Sequence, residues 1–334
     1  MKANRRRSVR YDRLAAAGVI FIVLIILLVT CIKGCSNDTD TGKSSLLTNP
    51  SGASSTDSTG STDPSGGTPS GDSATDSGAM NTAGYTTIAA KQAELCKGDL
   101  VLVNADHAYT FPSDTSNLVS IYDNKLSTYK AKDCITLLDK NVIEQFNKLM
   151  TAYYETTKNI DIQVINGYRT KESQDSIFRS GSTTIQGGYS DYHTGLSLDL
   201  GIFPQGKSSG YYTATGTYAW IAEHMAGYGF ITRYPEDKKD ITGQKGKSYQ
   251  FRYVGAPHAS YMAENKLCLE EYLEQLKGYT FGSKTLKTAV GAQNYEIYYI
   301  PASADGDTTL YVPTGGTYTV SGNNMDGFIV TVTL

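Results

Sequence analysis

Residues 189–199 read YSDYHTGLSLD. A serine, a histidine and a glycine lead into an alternating run, Leu196, Leu198 and Leu200 against Ser197 and Asp199, which predicts a short strand carrying a carboxylate. Histidine and aspartate are residue types that hold metal ions, so the spacing of His193 and Asp199 decides what this stretch is.

The surrounding sequence alternates helical and strand periods. Upstream, DLVLVN (99–104) has strand alternation, and 139–158 places Val142, Phe146, Leu149 and Tyr153 at helical spacing. IDIQVINGYR then alternates Ile160, Ile162 and Val164 and breaks at Gly167, after which Thr170 is positioned to cap a helix that Gly181 closes. Downstream, TGTYAWIAEHMAGYGF predicts a helix ending at Gly227 or Gly229, and FRYVG a strand. Pro257 opens helical material whose buried stripe is Leu269, Tyr272, Leu273 and Leu276. From 279 onward the runs YEIYYIP, TTLYVP, TYTV and GFIVTVTL are separated by ADGD, TGG and SGNNMDG, the turn chemistry of a small antiparallel module. The expected fold class is α+β, with a C-terminal all-β module.

The N-terminal quarter has another character. Residues 1–13 are basic, and 14–32, LAAAGVIFIVLIILLVTCI, form an apolar run long enough to cross ~30 Å of hydrocarbon. The basic flank places the N-terminus in the cytoplasm and the following chain outside. A cleaved signal peptide is the alternative, but the run is long for one and no small-x-small site follows it directly. Residues 33–84 are rich in Ser, Thr, Gly and Asp, a spacer unable to bury a core. The expected organisation is therefore a basic tail (1–13), a transmembrane helix (14–32), a linker (33–84), a globular domain (85–278) and a β module (279–334).

The net charge of −3 is unevenly distributed: residues 1–35 carry seven basic side chains and one acid, leaving the remainder at −9. That excludes nucleic acid as a partner of the exported part. The five cysteines are scattered without any CxxC pair, so a thiolate zinc site is not expected. Spacing alone leaves open whether Cys96 and Cys134 are bridged.

GYRTKESQ, YSDYHTGLSLD, YGFITRYPEDK and FRYVGAPH, in this order, resemble the VanY-type D-alanyl-D-alanine carboxypeptidases, zinc peptidases that trim the terminal D-alanine from cell-wall stem peptides. The resemblance runs over about 97–334, the C-terminal module included. It implies a bacterial protein with its head on the cell-wall side of the membrane.

The family loop reads S-x-H-x-x-G-x-[AS]-x-D. Ser190, Gly195, Ser197 and Asp199 match it, but Tyr192 stands at the histidine ligand and His193 one position later. The family's E-x-W-H is here Lys247-Ser248-Tyr249-Gln250, so Lys247 replaces the general base and Gln250 the third ligand. A phenol with a pKa near 10 and a carboxamide are poor substitutes for imidazole, and an ammonium repels a dication. Asp199 alone is retained, with His193 a possible substitute ligand if its ring turns inward. Lys247 is expected to pair with Asp199. By resemblance, Arg169 contacts the scissile carbonyl or oxyanion, while Gln174 and Ser190 hold the peptide and its terminal carboxylate.

Two classes follow: a metal-free relative that binds stem peptide or another wall protein, and a working zinc D,D-carboxypeptidase with substituted ligands. His258 is expected to be a satisfied structural residue, and His107 and His224 surface or helix-face groups.

Overall fold

Asp139 begins the helix that the apolar spacing predicts. In the computed structural model, which describes residues 82–334, its carboxylate accepts the Asn141 amide at 2.8 Å and the helix runs Lys140–Thr157. Val142, Phe146, Leu149 and Tyr153 are buried and pack on one core with Leu198, Leu200 and Phe251. Each such side chain contributes about 1.5–3 kcal/mol of burial. The basic tail, the expected membrane segment and residues 33–81 lie outside the described residues. No described helix is long and apolar enough to cross a membrane.

The strands are β1 (Tyr85–Ala90), β2 (Leu118–Ser120), β3 (Lys130–Ala131), β4 (Leu137–Asp139), β5 (Ile162–Asn166), β6 (Ser197–Ile202), β7 (Gly210–Tyr211), β8 (Phe230–Tyr234) and β9 (Lys247–Tyr253), then β10 (Leu286–Val290), β11 (Gln293–Pro301), β12 (Thr308–Pro313), β13 (Tyr318–Gly322) and β14 (Gly327–Thr333). The central sheet has the order β3-β5-β6-β9-β8, with β7 on β6. Only β3 and β5 are parallel. The C-terminal sheet, β10-β11-β14-β13, is antiparallel throughout. This is the expected α+β fold with a β-rich tail. Strand β1 pairs with β12, so residues 85–90 sit with the tail strands, and Tyr85 packs edge-on to Phe281 at 4.8 Å.

Three elements differ from expectation. Residues 99–104 form no strand: 99–100 lie in a turn, 101–103 are irregular and 104 is a bend. Their carbonyls are taken instead by arginine side chains: Arg252 Nη2 donates to Asp99 and Val101 at 2.9 Å each, and Arg233 Nη2 to Val103 at 3.5 Å. The run 216–228 is a short α-helix, Ala219–His224, between two 3₁₀ turns, closed by Gly229 at φ +89°. The helical material after Pro257 is two helices, Ala256–Asn265 and Leu269–Leu276, because Lys266 turns left-handed and Glu271 accepts the Cys268 amide at 2.9 Å to cap the second. Cys96, Cys134 and Cys268 are free thiols.

His258 ties the first of these helices to the tail. Its Nδ1 lies 2.7 Å from the Tyr272 hydroxyl and its Nε2 3.0 Å from Thr331 Oγ1. Burial holds its pKa down from 6.5 to about 3. Because the folded value lies below the unfolded one, the unfolded chain takes the proton first. The contribution is complete above pH 6.5 and lost as pH falls toward about 3. At full effect this is on the order of a few kcal/mol. Asp99, pushed by burial from 3.8 up to about 6, acts with the opposite sign. The histidine is therefore isolated by difference. His258→Gln is expected to flatten the fall in urea midpoint between pH 6.5 and 4 relative to the parent chain, and parallel falls would contradict it.

Candidate functional site

The central sheet aligns three polar residues. Asn166 of β5 lies opposite Asp199 of β6, and Asp199 opposite Gln250 of β9. Directly opposed residues share a face, so the three side chains form a row across the sheet. Asn166 Nδ2 donates to Asp199 Oδ2 at 2.7 Å.

Tyr192 reaches this row from the loop above it. The loop is a 3₁₀ turn, Asp191–Thr194, closed by Gly195 at φ +72°. A Cβ at Gly195 would stand 2.5 Å from Leu118 Cδ2, a side-chain end that can move aside, so it is the left-handed backbone of the turn that requires glycine. Beneath the turn, Asp191 is fully buried. It accepts from Arg252 Nη1 at 2.5 Å and from Arg233 Nε at 3.2 Å, and Ser197 Oγ also donates to it. Burial alone would raise the Asp191 pKa, but the two guanidinium charges outweigh it and hold the carboxyl below its usual range. Arg233 also makes a forked pair with Glu270, at 2.8 and 3.0 Å.

So fixed, the turn directs the Tyr192 hydroxyl onto Asp199 Oδ1 at 2.6 Å. Burial, then the charge of Asp199, raise the phenol's pKa well above 10. Burial also raises that of Asp199, against the hydrogen bonds from Tyr192 and Asn166. Both carboxylate oxygens are thus engaged.

His193 turns away from the row. Its Nδ1 lies 2.7 Å from the Arg169 carbonyl, and its Nε2 accepts the Gly188 amide at 2.9 Å. Those partners require a neutral ring protonated on Nδ1. Burial lowers its pKa in the same sense, and the ring packs against Phe111 at 4.8 Å. Neither nitrogen is available to a metal.

The expected Lys247–Asp199 ion pair is not formed. Lys247 makes no ion pair within 4.0 Å among the described residues. A register shift between Thr232 and Tyr234 sets it opposite Tyr234, with its ammonium 4.8 Å from that ring's centre. Burial lowers its pKa, partly offset by the charge of Asp199. Gln250 is 1% exposed, and its Oε1 has no hydrogen-bond partner.

Arg169 lies with its guanidinium 4.1 Å from the centre of the Tyr192 ring and donates to Gln174 Oε1 at 3.1 Å. Gln174 donates in turn to the Ile185 carbonyl at 2.8 Å, and Ser190 is buried at the start of the turn. A cavity of about 270 Å³ is lined by Ile185, whose carbonyl holds Gln174, and by Tyr234, which stands opposite Lys247; Gln174 and Lys247 do not themselves line it. One of about 450 Å³ bears on the other end, through Asn166 and Tyr211. Tyr211 stacks on Tyr249 at 4.1 Å.

Asn166 and the Asp191–Arg233–Arg252–Glu270 network were not among the sequence candidates. An arginine inside a strand of otherwise buried residues was the available signal for the network, since arginine is rarely buried without an anion. Among the described residues no three of His, Cys, Asp and Glu converge as a metal ion requires.

The family model described as VanY, D-alanyl-D-alanine carboxypeptidase, matches residues 135–256. The chain is 33% identical over 251 residues to a D-alanyl-D-alanine carboxypeptidase of Enterococcus faecium, covering 72% of this chain and 76% of that protein. It is 29% identical over 190 residues to the bifunctional D-Ala-D-Ala dipeptidase and D-Ala-D-Ala carboxypeptidase VanXYC of Enterococcus gallinarum, covering 53% of this chain and 94% of that one. Among solved structures it resembles the vancomycin resistance D,D-dipeptidase VanXYg in complex with a D-Ala-D-Ala phosphinate analog, with a TM-score of 0.65, 27% identity, and coverage of 75% of this chain and 99% of that chain. The chain belongs to the VanY D-alanyl-D-alanine carboxypeptidase family.

Proposed function

We propose that this protein binds D-alanine-ended stem peptides of peptidoglycan without a metal and without hydrolysing them. The observation that carries the reading is the Tyr192 hydroxyl on Asp199. It occupies the retained carboxylate from the position where the family has a histidine. The donor set supports the same reading. A phenol whose pKa is raised, a carboxamide and an ammonium stand around one carboxylate, and the neighbouring histidine is committed elsewhere. This set does not fit zinc, which takes imidazole, thiolate or carboxylate donors.

The ligand-holding side is kept. Arg169 and Gln174 form one hydrogen-bonded unit, and Arg169 lies over the Tyr192 ring; charge-assisted bonds to a carboxylate or carbonyl need no metal. Likeness to proteins named for D-Ala-D-Ala substrates supports the ligand class. In this reading the head stands on the cell-wall side of a bacterial membrane, anchored through residues 14–32 and spaced by the Ser/Thr/Gly/Asp linker. Another wall protein is the alternative partner for the same face.

Titrating the full chain, kept in chelator, with a stem peptide ending in D-alanine is expected to give saturable binding. Arg169→Ala should weaken it at least tenfold. Absence of binding by the parent chain would remove the proposal.

A further inference from the structure

The site holds more positive charge than it pairs. Arg169 and Lys247 are both half-buried, and neither makes an ion pair within 4.0 Å among the described residues. They act electrostatically on Asp199 and on each other. Asp199 cannot satisfy either by direct contact, because Tyr192 and Asn166 hold both of its oxygens. Two cations therefore share one committed carboxylate, while Asp191 and Arg233, already paired with each other, act on Lys247 in opposite senses. Leaving an ammonium in a desolvated setting without an anion is unfavourable, so the arrangement favours an incoming negative charge.

Gln250 adds a second requirement. Its Oε1 is buried and unpartnered in the same row. A buried acceptor without a donor is destabilising until a ligand supplies one. An anionic group with an N–H donor close to it describes the C-terminal residue of a peptide: a free carboxylate one carbon away from an amide N–H.

We propose that Lys247 and Arg169 together anchor the free carboxylate of a peptide chain end at the position where a peptidase of this family would act on a carbonyl, and that the preferred ligand is a stem peptide already trimmed to a single D-alanine. This rests on the stem-peptide reading above and narrows it. A peptide one residue longer places a neutral amide carbonyl at the cation pair and leaves its charge further along. An ammonium favours a carboxylate over a neutral carbonyl because it interacts with formal charge rather than a dipole.

The test titrates the full chain with three probes: a stem peptide ending in one D-alanine, its C-terminal amide, and the same peptide extended by a second D-alanine. The single-D-alanine acid is expected to bind at least tenfold more tightly than either of the others. Lys247→Gln should remove that preference, Lys247→Arg should retain it, and raising salt should narrow it. Equal binding of acid and amide, tighter binding of the longer peptide, or a preference unchanged in Lys247→Gln would overturn this inference while leaving stem-peptide binding in place. Failure of all three probes to bind would overturn both. The comparison of probes on the parent chain stands even if a variant fails to fold.

Discussion

Replacing Asp191 by alanine is expected to cost about 3–5 kcal/mol of stability. Asp191, Arg233 and Arg252 have side chains with no exposed surface. Removing the carboxylate leaves Arg252 without an anion: its other acceptors are the carbonyls of Asp99, Val101 and Tyr253. Arg233 keeps Glu270. Such a loss is a large share of the about 5–15 kcal/mol that holds an ordinary domain folded. The loss also falls on the turn that carries Tyr192, on β8 and β9, and on the unpaired segment 99–104. Urea denaturation measures it, and a midpoint shift equivalent to less than about 1 kcal/mol would show that the network is not the keystone described. Asp191→Asn should fall between the two, since it keeps an acceptor but not the charge.

The second large effect concerns chemistry. The triple substitution Tyr192→His, Gln250→His and Lys247→Glu, with Asp199 kept, is expected to create a stoichiometric zinc site where the parent chain binds none. Asp199 and position 250 already face one another across the β6–β9 ladder, and position 192 already delivers its side chain to Asp199. Two imidazoles and a carboxylate with an open fourth position are a known catalytic zinc set. Tyr192→His alone is expected to free Asp199 from its phenol without conferring metal binding, because Gln250 and Lys247 still oppose a dication. Isothermal titration with zinc reads each step. Failure of the triple variant to bind zinc while remaining folded would mean that the backbone, and not only the side chains, has departed from the family site.

How much of this was legible in the sequence varies from residue to residue. The periods of 140–157 and β5 were readable because one face of each is buried, so apolar residues recur at the element's own spacing; β6 and β14 are buried on both faces, and their apolar alternation reflects which side meets the main core. The order of the four motifs placed Asp199, Gln250, Tyr192 and Arg169 at one site, and the sheet register brings the first two together. The partner of Asp199 was misassigned. Charge complementarity pointed to Lys247, but the phenol reaches the carboxylate first, and a register shift carries the lysine onto Tyr234. The strand expected at 99–104 failed for a related reason: its apolar alternation is real, yet its carbonyls are satisfied by two arginines more than a hundred residues away in sequence. Such long-range side-chain partners leave no local period. Asp191 itself sits at a position the loop motif leaves variable, so nothing near it announced a buried charge.

Metal content and D-alanine release, measured together on the parent chain, decide whether this site has lost its chemistry. Purified, supplied with zinc and then freed of loosely bound ion, the chain is analysed for metal and incubated with a stem peptide ending in D-Ala-D-Ala. The expected result is substoichiometric zinc and no release of D-alanine above the rate seen for Asp199→Ala. One zinc per chain, together with D-alanine release that Asp199→Ala abolishes, would contradict it.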